Sequence, residues 1–349
     1  MPIRPALHAF RIAAAAAFAA FALAPALAQQ VVLKVHHFLP ATSNVQKNII
    51  EPWCDRVAKD SGDRLKCQIY PSMQLGGTPA QLFDQARDGV ADIVWTLPTY
   101  SAGRFIKSEV FELPFFTRSG RGSSQAFWQY VQKSALDEFA GTKPLWLHTN
   151  DGSSFHMTSP KGLKSIEDLK GLKIRAATRL NSRMLAALGA TPVQMPLPAV
   201  PESMAKGVID GAMVPWEGVP AAKLQEIAKS HLDVGPGQPK FANSIFAFVM
   251  NQAKYEGLPA DLKKVIDNNS GVQMSALAGE KFDAVVVPFH KLATDRGNQV
   301  FVLAPEELAR WTKATAEIDE LWVKEVSAKG ANGAALLEDA RGLIRQYDR

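Results

Sequence analysis

A two-domain α/β fold, each domain a sheet flanked by helices, is predicted by three features of this 349-residue sequence. From residue 31 onward, short apolar segments with strand character alternate with helical ones, the pattern of a parallel sheet with crossover helices. The alternation starts again after about residue 150. A stretch of helical periodicity at 259–294 would run ~50 Å at 1.5 Å per residue, longer than one small domain needs.

The first residues read as a targeting segment. Arg4 and Arg11 give a positive start, 12–23 is an apolar run rich in Ala, and Ala26-Leu27-Ala28 is a small-x-small cleavage site. The run is short for a bilayer span, and no later stretch is long and apolar enough to be one. The expectation is a cleaved leader at 1–28 and an exported, soluble mature chain, with an uncleaved anchor as the alternative. Removing 28 of 349 residues leaves 321, enough for two domains of ordinary size. Net charge is +5 and falls to +3 without Arg4 and Arg11; the Lys and Arg residues are scattered, which gives no nucleic-acid signal.

Strands are expected at 31–38, 65–70 and 91–96, with helices at 44–60 and 79–87 between them. An apolar, Pro-punctuated segment follows at 105–116, then a helix at 127–139. Strands at 145–150 and 155–159 carry the chain into the second domain. There the pattern repeats: a capped turn at 165–170, a strand before Arg175, a helix after it, a strand at 192–195, a helix near 202–206 and a strand at 208–214. An apolar strand at 244–250 returns to the first domain. The helix at 259–294 starts at Pro259, and Pro288 should kink it.

Cys54 falls in the first helix and Cys67 in the following strand. A helix folding back over the next strand would bring them together, and an oxidising compartment then favours a disulfide. Two buried free thiols are the alternative. No Cys or His stands near them at ligand spacing, which argues against zinc. H-E-x-x-H, G-x-S-x-G, Walker A, C-x-x-C and G-x-G-x-x-G motifs are all missing, so no nucleophile, metal or cofactor is expected. His36 and His37 are adjacent and face opposite ways on a strand, against both holding one metal. His37 remains a candidate hydrogen-bond donor near a site.

The stretch 161–189 is the most informative. Ser165 can cap a short turn with Asp168 three residues on, and Gly171 breaks it. Arg175 follows a short strand, and Asn181 can cap a helix carrying Met184, Leu185 and Leu188 at helical spacing, ended by Gly189. Ligands of open α/β sheets bind beyond the carboxyl ends of strands. A guanidinium there offers a planar fork for a carboxylate. Taken alone, such an Arg can equally be a solvated or salt-bridged residue.

The wording S-I-E-D-L-K-G-L-K-I-R, then L-G-A-T-P-V-Q-M-P, then K-G-V-I-D-G-A at 206–212 resembles the solute-binding proteins of TRAP (tripartite ATP-independent periplasmic) transporters. I-Y-P-S-M-Q-L-G-G at 69–77 and D-G-V-A-D-I at 88–93 fit the same family in the same order. The resemblance implies a periplasmic two-domain binding protein with a long helix spanning both domains. It also implies a site between the domains and no enzymatic activity. The expected division is 29–153 with 241–279 as domain I and 154–240 with 280–325 as domain II, plus a C-terminal helical segment at 326–349. The partners implied are an organic acid and the TRAP membrane permease subunits, with the binding protein a monomer.

By the same resemblance, Arg175 matches the family's carboxylate-holding Arg. Members that bind acidic sugars carry Asn where Phe38 stands, Glu at Leu97, a second Arg at Phe155 and Asn at Val214, two residues before Trp216. Leu197 falls at an apolar, often aromatic position. The carboxylate anchor is kept while the polar contacts become Phe, Leu and Val. Hydroxyls of a sugar would be left unpaired there, at about 1–3 kcal/mol each. An aromatic or branched tail would gain roughly 25 cal/mol per Å² buried. The expectation is an apolar, aromatic or branched monocarboxylate packed near Trp216 and Phe155. A small 2-oxo or 2-hydroxy acid with those two rings closing on it is the alternative within the family, and an exported enzyme is the alternative outside it.

Overall fold

The computed structural model describes residues 30–348; the leader expected at 1–28 lies outside the described residues. Eleven strands form two sheets among these residues. In chain order they are β1 (Val31–His37), β2 (Leu65–Tyr70), β3 (Ile93–Thr96), β4 (Thr142–Thr149), β5 (Ser153–Met157), β6 (Lys173–Ala176), β7 (Thr191–Gln194), β8 (Gly211–Pro215), β9 (Ser230–Asp233), β10 (Ile245–Asn251) and β11 (Gln299–Val302). The first sheet has the order β2-β1-β3-β10-β4, the second β11-β9-β5-β8-β6-β7.

Neither sheet is wholly parallel. β1 runs parallel to β2 and β3, as the alternation of elements requires, but β10 is antiparallel to both β3 and β4. In the second sheet β6 is parallel to β7 and β8, whereas β5 is antiparallel to β8 and β9. The antiparallel members are β5, where the chain first enters the second sheet, and β10, where it returns to the first. A strand arriving from another sheet has no crossover helix to impose parallel pairing. β9 and β11 are too short and too weakly patterned to have been expected.

The two crossing segments lie side by side. Asn150 N–H donates to Asn243 Oδ1 at 3.1 Å, Ser153 N–H to the Ala242 carbonyl at 2.8 Å, and Asn243 Nδ2 to Thr117 Oγ1 at 2.7 Å. The third connection is helical and departs from expectation. The stretch 259–294 is three helices, Ala260–Asn268, Val272–Asp283 and Val286–Thr294. Gly271 makes the first break at φ +90°, where a side chain would be strained, and its N–H is spent on the Leu145 carbonyl of β4 at 2.7 Å. Pro288 sits in the first turn of the last helix, where it is tolerated, so it is not the kink. Val272–Asp283 packs on β4 and on the helix Gly120–Tyr130; Val286–Thr294 packs on β11. The helices Gly120–Tyr130 and Val272–Asp283 cross closely because a Cβ at Gly120 would stand 2.6 Å from the Gly279 carbonyl oxygen.

Cys54 and Cys67 form a disulfide, with Cα atoms 5.7 Å apart, tying the helix Glu51–Asp60 to β2. Ser165 and Asp168 make the expected capping box. The helix after Arg175 is capped one turn earlier than expected: Thr178 Oγ1 accepts the Asn181 N–H, and the helix is Arg179–Ala187. Asn181 is inside it and spends its amide on the Asn243 carbonyl. The C-terminal helix Gly333–Tyr347 returns to pack on Gly120–Tyr130, and Asp348 accepts the Arg118 and Ser119 N–H groups at 2.6 and 2.9 Å. The preceding helix, Glu317–Ala328, runs across residue 326 without a break.

Candidate functional site

The carboxyl ends of β1, β3, β6 and β8 face one another across a cavity between the sheets, where open parallel sheets place ligands. Its enclosed space is about 30 Å³, well below the usual size of a ligand pocket. Phe38, Trp95, Leu97, Tyr100 and Phe246 line it from the first sheet, and Arg175, Leu197, Val214 and Glu217 from the second, with Ser244 at the crossing.

Arg175 lies within β6, between Ala212 of β8 and Val193 of β7. Its guanidinium is 2% exposed and fixed by the backbone. Nε donates to the Met195 carbonyl at 2.9 Å, Nη1 to the Met213 carbonyl at 2.8 Å, and Nη2 reaches Tyr100 Oη at 3.5 Å. No carboxylate pairs with it among the described residues. Burial lowers its pKa, yet a guanidinium stays charged in proteins. A desolvated cation held only by carbonyls and a phenol still lacks a counter-ion, and the cost of removing it from water is several kcal/mol. Of its five N–H groups three are used, leaving one on each terminal nitrogen.

The opposite wall is aromatic and comes from the first sheet. Phe38 and Trp95 have ring centroids 5.1 Å apart, Phe38 and Tyr100 5.7 Å, and Trp95 stacks on Phe246 at 4.9 Å with planes 10° apart. Trp95 Nε1 donates to His148 Nε2 at 2.9 Å, so the indole face is presented without an unpaired N–H. Tyr100 Oη accepts the Leu197 N–H at 3.1 Å and thereby joins the two sheets over the cavity. Beside the cavity, Arg179 makes a second junction, pairing with the buried Glu109 of the first domain and, at 2.6 Å, with Glu325.

Residues 35–325 match the profile of bacterial extracellular solute-binding proteins, family 7. The chain belongs to that family. Two solved relatives are 43% identical to this family 7 protein. One, a TRAP solute-binding protein from Rhodoferax ferrireducens in complex with copurified benzoate, aligns over 91% of this chain and 98% of its own with a TM-score of 0.89. The other, from a marine metagenome and specific for aromatic acid ligands, is in complex with 3-hydroxybenzoate; it aligns over 92% of this chain and all of its own, at 0.90. A third, from Bordetella bronchiseptica with bound mandelate, is 27% identical over 91% of this chain and all of its own, at 0.83. The two-domain architecture is therefore that of periplasmic TRAP binding proteins, and the family consists of solute-binding receptors. No helix among the described residues is long and apolar enough to cross a membrane.

Five of the residues singled out in this family 7 sequence meet in the cavity: Phe38, Leu97, Arg175, Leu197 and Val214. Three do not. Phe155 is fully buried behind β5, edge-on to Phe241 at 5.3 Å and Trp311 at 5.6 Å. Trp216 is turned into the second domain, donating to Asp233 Oδ2 at 2.9 Å and lying 3.9 Å from the His290 ring. His37 is also buried, with both ring nitrogens occupied. Nδ1 accepts the Leu39 N–H at 3.2 Å, so Nε2 carries the proton and donates to Gln46 Oε1 at 3.0 Å. Burial lowers its pKa to about 4, leaving it neutral with no donor for a ligand. The rings that line the cavity are thus Phe38, Trp95, Tyr100 and Phe246 instead of Phe155 and Trp216. Tyr100 could have been sought in the loop beyond β3, and Glu217 is the immediate neighbour of Trp216; Trp95 and Phe246 carried no signal apart from being aromatic.

Proposed function

We propose that this protein captures an aromatic monocarboxylate between its two sheets and delivers it, as a monomer, to the membrane permease of a TRAP transporter. The observation that carries the reading is Arg175: a buried cation without a carboxylate partner among the described residues, with an N–H left on each terminal nitrogen, facing a wall of Phe38, Trp95, Tyr100 and Phe246. A ligand carboxylate would accept those two N–H groups in parallel and supply the missing charge. The ring behind it would pack on Phe38 and Trp95, where aromatic pairing adds ~0.5–1.5 kcal/mol beyond area burial. The copurified benzoate, the 3-hydroxybenzoate and the mandelate of the relatives support this ligand class. The small cavity and its apolar wall disfavour a nine-carbon sugar acid.

Such a site favours closure only when a carboxylate is present, because Arg175 is otherwise desolvated without its partner. That is what a carrier needs. A thermal-shift screen over carboxylates tests the reading. Benzoate, hydroxybenzoates or mandelate should raise the melting temperature most, and none should be consumed. Greater stabilisation by sialic acid, a hexuronate or a C4-dicarboxylate would overturn it.

A further inference from the structure

One buried carboxyl on the cavity wall is left without a full set of partners. The residue is Glu217. It follows β8, lines the same cavity as Arg175, and is 3% exposed. Its Oε1 has no hydrogen-bond partner among the described residues. Its carboxyl faces the Val45 backbone of the first domain.

We propose that Glu217 is the second polar anchor of the binding site, receiving a hydroxyl group that the ligand carries apart from its carboxylate. This deepens the aromatic-acid reading and rests on it. Glu217 and Arg175 line the same cavity, and no hydrogen bond or ion pair joins them. A bifunctional ligand would engage both, with its acid on Arg175 and its hydroxyl on Glu217. Burial raises the Glu217 pKa to about 8, so it is largely neutral at pH 7 and does not repel an incoming anion. A neutral carboxyl can donate to a phenolic oxygen and accept from its O–H. A site built around a buried polar group discriminates against an analogue lacking the matching group, because the protein atom is then left unpaired. The discrimination expected from one such group is roughly 5- to 150-fold.

Calorimetry at pH 7 on the mature, disulfide-bonded protein, freed of copurified ligand, tests this with benzoate and the 2-, 3- and 4-hydroxybenzoates. One hydroxybenzoate isomer should bind at least about fivefold tighter than benzoate. The ratio should collapse to within about threefold in Glu217→Leu and persist in Glu217→Gln, whose amide can still donate and accept. Because a ratio is read, a general loss of affinity in a variant does not imitate the result, and the wild-type comparison stands if Glu217→Leu fails to fold. Benzoate bound as tightly as every hydroxylated isomer overturns the proposal. So does a preference that survives in Glu217→Leu, or one abolished by Ser244→Ala and untouched at Glu217. If neither benzoate nor any hydroxybenzoate binds, the aromatic-acid reading itself falls and takes the proposal with it.

Discussion

Replacing Arg175 by Lys keeps the charge and removes the fork. In the native protein Nε and Nη1 hold the carbonyls of Met195 and Met213, Nη2 faces Tyr100, and the two remaining N–H groups on the terminal nitrogens are available to a carboxylate. An ammonium has three donors at one point. It cannot satisfy the carbonyls of Met195 and Met213 and also offer two parallel bonds. At least one charge-assisted bond to the ligand is lost, and such bonds contribute about 1.5–3 kcal/mol. Affinity for benzoate should therefore fall at least tenfold, the equivalent of ~1.4 kcal/mol. One carbonyl left unpaired would also lower the melting temperature of the unliganded protein, so that temperature must be measured alongside. Titration calorimetry reads the affinity. Unchanged benzoate affinity in a folded Arg175→Lys protein refutes the assignment.

Removing the disulfide by Cys54→Ser with Cys67→Ser frees a loop of sequence separation 13 and should cost about 3 kcal/mol in urea unfolding; an unchanged midpoint refutes a stabilising role. Arg179→Met leaves the buried Glu109 without its cation across the domains, so ligand affinity should drop severalfold and small-angle scattering should show less contraction on binding; normal contraction counts against the junction. The third case is pH dependence. Burial raises the Glu112 pKa to about 8, above the ordinary value of 4.5, so folding takes up a proton there. Its stabilising contribution is complete below about 4.5 and is lost as pH rises through 8. Glu112→Gln keeps an acceptor for Thr99 Oγ1 and the Ile245 N–H and should flatten the fall in melting temperature between pH 5 and 8; equal slopes in the two proteins refute it. His148, whose pKa burial lowers from 6.5 to about 4, works in the opposite sense, withdrawing stability as pH falls from 6.5 toward 4.

Much of this protein is set by local sequence. The capping box at Ser165 and Asp168, the strand holding Arg175 and the return strand at Ile245–Asn251 follow from neighbours a few residues apart. So does the nearness of Cys54 to Cys67, because a helix and the strand after it must pack together. Arg175 was legible since its position depends on the end of one strand and its chemistry on one side chain. What only the tertiary structure decided is which way the buried side chains point. β5 is buried at all five positions, so alternation of polar and apolar residues cannot tell its cavity side from its core side, and Phe155 falls on the core side. Trp216 and Glu217 are adjacent, yet β8 ends just before them and the turn aims the indole at Asp233 and leaves the carboxyl on the cavity wall. Helical periodicity runs unbroken through Gly271 because the break is enforced by the Leu145 carbonyl, a partner more than a hundred residues away. The aromatic wall joins Phe38, Trp95, Tyr100 and Phe246, and Phe246 meets the others only because β10 inserts antiparallel between β3 and β4. Local sequence fixes what each segment prefers; the pairing of distant strands fixes which side chains share a cavity, and no short-range pattern encodes that pairing.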